Sequence, residues 1–358
     1  MYSVVMAGGS GTRFWPFSRK SMPKQLLSIA GNEPMMVMTC DRLNPLSRDE
    51  EMIIVLGREH LNEARKLLKE RKIHILAEPV GRNTAACIGL GAIYARHLGC
   101  EGAIAFLPAD HFIADTPSFL ESLRLAEEVA EGGGIVTLGI VPTRPETGYG
   151  YIKRAKSVLD SFDFPVYRVS EFVEKPDPER AEKYLASGEY LWNAGIFVAR
   201  QETILMEIEE LLPDLHKGLR MIEESLERDS FEKRLREVYK DLEPVSFDYG
   251  IMEKTGSPVH VIPCECGWSD VGSWASLHEL RAGEYDDRGN LSEGDTLLID
   301  SRNSYISSRS GRLVACLGLD NCIVIDTDDA LLVADLGRAQ DIREIVEELK
   351  RRKREEIL

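Results

Sequence analysis

The amino-acid sequence predicts an α/β fold, in which a mostly parallel sheet is flanked by helices and followed by a small domain of short strands with a terminal helix. Two patterns in the 358 residues carry this prediction. Up to Ile140, short apolar runs alternate with segments of helical periodicity, which is typical of parallel strands covered on both faces. From Gly294 to Leu336, short apolar runs recur between Asp, Asn and Gly, as in strands stacked into coils.

Each element of the first pattern can be placed along the chain. Buried strands are predicted at Val4–Met6, Met52–Leu56, Ile73–Leu76, Ala103–Leu107 and Ile135–Leu138. Helices are predicted between them at Pro34–Leu43, Glu59–Glu70, Asn83–Leu98 and Pro117–Glu131, the last after a cap at Thr116. Ligands bind beyond the carboxyl ends of parallel strands, so the residues that follow these strands are the first candidates for a site.

After residue 140 the strict alternation weakens, and the elements are predicted one by one. A turn into a strand is predicted at 147–152, strands at 167–175 and 192–198, and helices at 178–186, 201–212 and 216–235. The segments 246–253, 259–263 and 267–274 precede a short predicted helix. The coil-like strands are predicted at 296–299, 304–306, 313–314, 322–325 and 330–333, and a final helix at 341–357. The change of pattern near Asp286 predicts two domains, residues 1–285 and 286–358. The final helix has an apolar face that needs a partner, either its own domain or a second subunit. Together with the β-helix-like strands it leads us to expect a homodimer.

The composition excludes some classes of protein. The formal net charge of −16 argues against a nucleic-acid partner, because backbone phosphates are bound by an excess of Lys and Arg. No apolar run approaches the ~20 residues that a membrane-spanning helix needs, and the first three residues are not a basic leader. We therefore expect a cytoplasmic protein without a membrane partner.

A glycine-rich loop follows the first predicted strand. Gly8, Gly9 and Gly11 lack the Cβ atoms that would keep an anion away from backbone N–H groups, while Arg13 and Lys24 add positive charge. The loop has neither the third glycine of a dinucleotide fingerprint nor the Gly-Lys-Ser/Thr of a P-loop. A glycine-rich turn with solvated basic side chains is the alternative interpretation of these residues alone.

Asp110 follows the fourth predicted strand, in Pro-Ala-Asp-His. Its position fits two interpretations equally well, a carboxylate in a functional site and one that caps the next turn.

The longer run from Arg13 to Arg19, followed by Pro23-Lys24-Gln25, resembles the signature of the nucleoside-diphosphate-sugar pyrophosphorylases. In detail it is similar to their mannose-1-phosphate guanylyltransferase branch, which usually has Leu where Phe14 stands. The resemblance implies a glycosyltransferase-A-like nucleotidyltransferase, with a Rossmann-like mixed, mostly parallel sheet and a left-handed β-helix-like C-terminal domain. It also implies in-line attack of mannose 1-phosphate on the α-phosphorus of GTP, assisted by Mg²⁺, with GDP-mannose and pyrophosphate as products.

The same resemblance assigns roles to residues in matching motifs, which extend over about three quarters of the chain. Asp110 and Asp270, the latter in Trp-Ser-Asp-Val-Gly-Ser-Trp, would hold the metal, and Arg13 and Lys24 would bind the triphosphate. The nucleotide would contact Gly8, Gly9, Ser10, Gly11, Thr12, Glu78, Gly81, Asn83 and Thr84. The sugar phosphate would contact Gly148, Glu174, Lys175, Asn193 and Asp248. Ala86 stands where the purine-binding pattern of the family has Pro.

Two alternatives to this function stay open. The chain could be a pyrophosphorylase for another hexose 1-phosphate or nucleotide, or a non-catalytic regulator that binds GDP-mannose. The presence of Arg13, Lys24, Asp110, Lys175 and Asp270 favours the enzyme. Because the chain ends in a helix, where two-activity members continue into an isomerase domain, we expect the transferase activity alone.

Overall fold

The alternating apolar and periodic segments form a mixed sheet with helices on its faces. The structure is a computed structural model that describes residues 1–9, 11–158, 162 and 164–358. Before residue 270 its strands are β1 (Tyr2–Ala7), β2 (Met52–Gly57), β3 (His74–Glu78), β4 (Ala103–Pro108), β5 (Phe112–Ile113), β6 (Ile135–Ile140), β7 (Tyr151–Val158), β8 (Tyr167–Val173), β9 (Tyr190–Arg200), β10 (Val259–Pro263) and β11 (Trp268–Ser269). The five strands predicted before residue 140 are confirmed.

Nine of these strands form one sheet within the described residues, in the order β3-β2-β1-β4-β9-β6-β10-β8-β7. Strands β1 to β4 pair in parallel, as do β6 and β10. Strands β8 and β9 run antiparallel to their neighbours, which makes the sheet mixed, as the family resemblance implies. Buried residues such as Val4, Ile53 and Phe106 place the hydrophobic core against the central parallel strands.

Each predicted helix has a counterpart in the structure, but several of the helix ends differ from the prediction. They are α1 (Met35–Leu43), α2 (Leu61–Leu67), α3 (Asn83–His97), α4 (Thr116–Glu131), α5 (Pro178–Ser187), α6 (Gln201–Leu211), α7 (Pro213–Glu223), α8 (Phe231–Asp241), α9 (Trp274–Leu280) and α10 (Ile342–Arg351). None of the helices in the described ranges combines the length and the apolar character that crossing a membrane requires.

Four helix predictions were wrong in detail. The helix predicted at 59–70 is shorter, because Arg58–His60 form a 3₁₀ turn before α2. Helix α4 is capped by Asp115, whose carboxylate accepts the N–H of Ser118 at 3.1 Å, so Thr116 is its first residue.

The single helix predicted at 216–235 is two helices, α7 and α8. Helix α7 begins at Pro213, whose fixed φ suits a first helical position. Beyond its end the hydroxyl of Ser225 donates to the carbonyl of Ile222, as side chains that compete with helical bonding do. The final helix, predicted to reach residue 357, ends at Arg351, since Lys353 adopts a left-handed φ of 56°.

Contacts divide the chain into two units that are not continuous in sequence. The first unit comprises residues 1–8, 37–109 and 113–268, and the second comprises residues 9–36, 110–112 and 269–358. The glycine-rich loop after Gly8 therefore belongs to the second unit, together with the C-terminal strands. The predicted domain boundary at residue 286 stays a prediction.

The second unit contains the coil-like strands predicted from the sequence. They are β12 (Leu291–Glu293), β13 (Thr296–Ile299), β14 (Tyr305–Ser308), β15 (Val314–Leu317), β16 (Cys322–Asp326) and β17 (Leu331–Asp335). Strands β12, β14 and β16 pair in parallel, and so do β13 and β15, which is how successive coils of a β-helix stack. The last strand, β17, instead turns back and pairs antiparallel with β16.

One hydrophobic core joins the glycine-rich loop to these coils. Phe14 and Trp274 are almost completely buried in it, with ring centroids 5.0 Å apart. Trp274 also lies 5.5 Å from the ring of Tyr305 in β14, and Ile342 and Val346 of α10 complete the same core. The position of the loop therefore depends on side chains that are more than 250 residues away in sequence.

Candidate active site

The glycine-rich loop turns at Gly11, where the conformation requires glycine. Gly11 has φ 58°, and a Cβ atom there would lie 2.7 Å from both the Cβ and the backbone nitrogen of Lys24. Its carbonyl accepts the hydroxyl of Ser18 at 2.6 Å and the N–H of Phe14 at 3.1 Å. The absence of a side chain at Gly11 is thus what allows Lys24 to pass beneath the loop. Ser10, predicted to bind nucleotide, lies outside the described residues.

The ammonium group of Lys24 connects the two aspartates predicted to hold a metal. Its Nζ donates to Oδ2 of Asp110 at 2.9 Å, to the carbonyl of Asp110 at 2.8 Å and to the carbonyl of Asp270 at 2.5 Å. These three bonds use the three N–H donors that a lysine has. Lys24 is 4% exposed, so its ammonium group is buried beneath the loop.

These residues line one pocket of about 340 Å³ that lies entirely within the second unit. The pocket brings together the predicted residues Gly9, Gly11, Thr12, Arg13, Lys24, Asp110 and Asp270. It also includes His111, and Arg343 from helix α10, which the sequence did not indicate. Arg13 is exposed and makes no hydrogen bond or ion pair with any of the described residues. A guanidinium so placed is available to an anion.

Asp110 is held in its ionised form. Its burial raises the pKa of the carboxyl, but the charges of Lys24 and His111 and the bond from Lys24 act more strongly in the opposite sense. The net effect lowers the pKa of Asp110 below its ordinary value of 3.8. The carboxylate is therefore charged at neutral pH, as a metal ligand must be.

The donor set of this pocket suits a divalent ion that takes its other ligands from a substrate. Asp110 and Asp270 are two carboxylates in one pocket, and no cluster of three or more His, Cys, Asp or Glu side chains capable of holding a metal occurs in the described ranges. Mg²⁺ typically binds one or two protein carboxylates, with phosphate oxygens and water completing its octahedron. The residues therefore fit such an ion, and they do not form a closed protein cage.

A second group of predicted residues comes together in the first unit. Nδ2 of Asn193, in β9, donates to Oδ1 of Asp248 at 2.8 Å. Oδ1 of Asn193 accepts the N–H of Gly195 at 3.0 Å and the hydroxyl of Thr137 at 3.3 Å. These bonds fix the orientation of the Asn193 amide. They leave the second oxygen of Asp248 as the remaining acceptor of the pair.

Glu174 and Lys175 form the other half of this group. Nζ of Lys175 makes an ion pair with Glu174, and the backbone N–H of Glu174 donates to Oε1 of Glu253 at 2.9 Å. Lys175 has a left-handed φ of 48°, a strained conformation for a lysine. Burial, followed by the charge of Glu174, raises the pKa of Asp248 to about 6. The group therefore combines a cation with closely spaced carboxyl groups.

The glycine in contact with this group is Gly150, which the sequence reasoning missed. A Cβ atom at Gly150 would lie 2.5 Å from Oε2 of Glu174 and 3.2 Å from the Cβ of Asn193. Gly148, the predicted residue, lies in the turn before β7 and donates its N–H to Oε1 of Glu146 at 3.0 Å. The Gly-Tyr-Gly sequence was the available signal, because each of its glycines is a candidate for close approach.

Glu78, at the end of β3, is a buried carboxyl group with spare bonding capacity. It is 3% exposed, and its Oε1 has no hydrogen-bond partner within the described part of the chain. Burial raises the pKa of Glu78 to about 7, a bond from the Tyr239 hydroxyl opposes the shift, and Glu59 adds to it. A Cβ atom at Gly8 would lie 3.6 Å from Oε2 of Glu78, which places the two predicted residues next to each other.

The remaining nucleotide residues lie at the start of α3. Asn83 has φ 66°, and its Oδ1 accepts the N–H of Thr84 at 2.9 Å. The Thr84 hydroxyl oxygen accepts the N–H of Phe247 at 2.8 Å, so part of its bonding is structural. Gly81 has open space where a Cβ atom would be, which agrees with a loop that can approach a ligand.

A mixed α/β sheet, a glycine-rich loop followed by cationic side chains, and two carboxylates in one pocket are typical of enzymes that transfer a nucleotidyl group to a phosphate. Comparison with known proteins gives the same class. The family model described as nucleotidyl transferase matches residues 2–286, and this chain belongs to that family. A second model, described as a MannoseP isomerase/GMP-like beta-helix domain, matches residues 294–349. Enzymes of the family generally use a divalent metal ion.

Individual relatives are similar to the chain along almost its whole length. Proteins of Klebsiella pneumoniae and Escherichia coli, both named mannose-1-phosphate guanylyltransferase, are 42% identical over 356 residues, which are 99% of this chain and 74% of each relative. A crystal structure from Thermus thermophilus, described as a mannose-1-phosphate geranyltransferase, has a TM-score of 0.87 and 34% identity. That similarity covers 98% of this chain and 99% of the other.

Proposed function

We propose that the protein is a mannose-1-phosphate guanylyltransferase, which forms GDP-mannose and pyrophosphate from GTP and mannose 1-phosphate. The observation that carries this proposal is the pocket of the second unit, where Arg13, Lys24, Asp110 and Asp270 meet although they come from three separate parts of the sequence. The names of the relatives that are 42% identical supply the substrates.

The reaction exchanges one phosphoanhydride bond for another. An oxygen of mannose 1-phosphate forms a bond to the α-phosphorus of GTP, while the bond from that phosphorus to the β-phosphate oxygen breaks and its electron pair leaves with pyrophosphate. The attacking oxygen is already ionised, so no general base is needed. The protein has to position the two phosphates and to stabilise negative charge.

The pocket of the second unit is suited to the triphosphate. We assign Arg13 to the departing pyrophosphate, because a guanidinium can bind phosphate oxygens in pairs. Asp110 and Asp270 would hold Mg²⁺, which supplies charge neutralisation and an in-line arrangement of the phosphates. Lys24 would position the two aspartates, since its three N–H groups donate to Asp110 and to the backbone carbonyl of Asp270.

The groups in the first unit are suited to the sugar phosphate and the base. Lys175 would bind the phosphate of mannose 1-phosphate, while Glu174 and Asp248 would accept bonds from sugar hydroxyls. Asn193 would keep Asp248 in position through its bond of 2.8 Å. The ionised form of Glu78 can accept hydrogen bonds from the N1–H and the amino group of guanine, which adenine does not present in the same arrangement.

The test is an assay of pyrophosphate release with a panel of nucleoside triphosphates and hexose 1-phosphates. We expect GTP with mannose 1-phosphate to give the highest kcat/KM. A preference for another pair would refute the proposed substrates but would still agree with the proposed type of reaction. Binding of GDP-mannose without turnover of any pair would instead identify a regulatory homologue.

We also propose that the protein is a homodimer, for which an exposed apolar face gives support. Leu297 and Ile299 of β13 and Leu317 of β15 point outward from the two-stranded sheet, with exposed fractions of 48%, 50% and 73%. Ile299 and Leu317 are directly paired across that sheet. Adjacent exposed apolar side chains of this kind typically mark an interaction surface.

Location and partners complete the proposal. Both proposed substrates are multiply charged and cross a bilayer poorly, so we infer a cytoplasmic location. The formal net charge of −16 argues against a nucleic-acid partner.

A further inference from the structure

Arg343 lies in the pocket that contains the glycine-rich loop. It lines the pocket together with Gly11, Arg13, Asp110 and Asp270, and all of these residues belong to the second unit. No motif of the sequence marks Arg343, because it stands in a strongly charged helix of the C-terminal part of the chain.

Helix α10 is fixed against the loop, so the place of Arg343 is determined by packing. Ile342 and Val346 flank it in the helix and are 2% and 4% exposed, in the core that also contains Phe14. Beyond the helix, the indole nitrogen of Trp15 donates to the carbonyl of Ile357 at 2.8 Å. The apolar face of the helix and the chain beyond its end are therefore both attached to the segment that carries Arg13.

Arg343 has no role in stabilising its own helix. The neighbouring cations are paired: Arg338 with Asp341 at 2.9 Å, and Lys350 with Glu347 at 2.7 Å. Arg343 makes no hydrogen bond or ion pair with any residue that the structure describes, although Glu347 stands one turn further along the helix. A cation in the first turn also opposes the helix dipole. Its position is unfavourable for folding alone and favourable for an anion.

The charges in the pocket call for a second free cation. Asp110 and Asp270 carry the charge that would balance a divalent ion, and Lys24 is committed to them through its three donors. A bound triphosphate carries about four negative charges, so positive groups outside this set are needed to neutralise it. Of the pocket's lysines and arginines, Arg13 and Arg343 are those without a partner in the described ranges.

We propose that Arg343 binds the pyrophosphate portion of the nucleoside triphosphate, together with Arg13, as the bond to the α-phosphorus breaks. The proposal rests on the proposed function, and it adds a contact from the β-helix part of the chain to the departing group. A guanidinium suits this task because it binds two phosphate oxygens at once and stays charged at every relevant pH.

The test compares Arg343→Ala and Arg343→Lys with Arg351→Ala, a control on the same helix that is 77% exposed and does not line the pocket. Isothermal titration calorimetry with inorganic pyrophosphate and Mg²⁺ measures the contact directly, and titration with GDP-mannose measures a ligand that lacks the departing group. We expect Arg343→Ala to weaken pyrophosphate binding by about tenfold or more, with GDP-mannose binding unchanged. Arg343→Lys should recover part of the loss, and Arg351→Ala should bind as the wild type does.

Wild-type affinity for pyrophosphate in Arg343→Ala would overturn the proposal, and so would equal weakening of pyrophosphate and GDP-mannose binding. Failure of the proposed function gives a different result. If the wild-type protein prefers another triphosphate or sugar, the pair with the highest kcat/KM differs from the proposed one. The loss of pyrophosphate binding in Arg343→Ala is still expected in that case.

Discussion

The ammonium of Lys24 lies 2.9 Å from the carboxylate of Asp110 and, at the same time, 2.5 Å from the carbonyl oxygen of Asp270. One buried side chain thus connects two aspartates that come from distant parts of the sequence. The relationship supports a positioning role for Lys24 at the proposed metal site, beside the triphosphate contact that the family resemblance implies.

Asp110→Asn and Asp270→Asn should each reduce kcat by about a thousandfold, because each change removes a charged oxygen ligand from the divalent ion. Pyrophosphate release measures the effect, and circular dichroism should show an unchanged fold. Asp328→Asn is the matched control, since Asp328 is exposed and has no bond or ion pair within the described residues. Full turnover by either aspartate variant would refute the proposal that these two residues hold the metal ion.

Gly11→Ala should lower the free energy of unfolding by about 1–2 kcal/mol or more, because φ 58° is unfavourable for alanine and the new Cβ would lie 2.7 Å from Lys24. The KM for GTP should rise as the loop moves. Urea denaturation and steady-state kinetics measure the two effects. Gly283→Ala, in the same unit and with open space at its Cβ, should change stability by less than about 0.5 kcal/mol. Equal behaviour of the two variants would contradict this account of the loop.

Gly150→Ala should raise the KM for mannose 1-phosphate by about tenfold while the KM for GTP stays the same. The added Cβ would lie 2.5 Å from Oε2 of Glu174 and would displace the carboxylate proposed to bind the sugar. Gly256→Ala, in the same unit and with open space at its Cβ, is the control. An unchanged KM for mannose 1-phosphate in Gly150→Ala would refute the proposal that the carboxylate of Glu174 binds the sugar.

Glu78→Gln should make stability less dependent on pH. The pKa of Glu78 is raised from 4.5 to about 7 in the folded protein, chiefly by burial. Its favourable contribution is therefore complete below pH 4.5 and is lost as the pH rises through 7. Above that range, the glutamine variant should be more stable than the wild type by about 1–3 kcal/mol in urea denaturation.

The same titration should affect nucleotide binding. GTP affinity of the wild type should fall as the pH drops below 7, because the ionised carboxylate is the form that accepts two hydrogen bonds from guanine N–H groups. The exposed Glu121 provides the control, Glu121→Gln, which should keep the wild-type pH profiles. If Glu78→Gln left the pH dependence of stability unchanged, this would contradict the claim that burial raises the pKa of Glu78.

Leu317→Glu should convert the proposed dimer to a monomer, because it places a charge in the exposed apolar face of β13 and β15. Size-exclusion chromatography with light scattering measures the mass. Met206→Glu changes an apolar side chain of α6 that is 51% exposed and should leave the dimer intact. A monomeric wild type would refute the dimer, and a dimeric Leu317→Glu would refute this interface.

The sequence predicted the parallel strands well, because runs such as Met52–Leu56 are apolar on both faces and have few alternatives. It also placed Asp110 directly after a strand. Its limits concern contacts between distant residues. No periodicity indicates that Phe14 and Trp274 share a core with Tyr305, so the grouping of the loop with the β-helix strands was not predicted.

Other differences depend on single side chains. Arg343 resembles its charged neighbours in sequence and differs from them only in having no partner, which becomes visible once the helix is placed on the loop. The contact of Gly150 with Glu174 follows from the pairing of Tyr151 with both Val173 and Trp192, a register that the sequence did not define. The break after α7 depends on local bonding by Ser225.

The shared core of the second unit has a consequence for how binding energy is distributed. Phe14, next to Arg13, packs in one cluster with Tyr305 and Ile323 of the coiled strands. A ligand that binds only the folded unit stabilises it against unfolding. It therefore slows amide hydrogen exchange in every part that unfolds together with the binding site, at whatever distance. Amide hydrogens of Cys322–Asp326 should therefore exchange more slowly when pyrophosphate is bound, although those strands supply no residue to the pocket. The β-helix strands would then report on occupancy of the nucleotide loop.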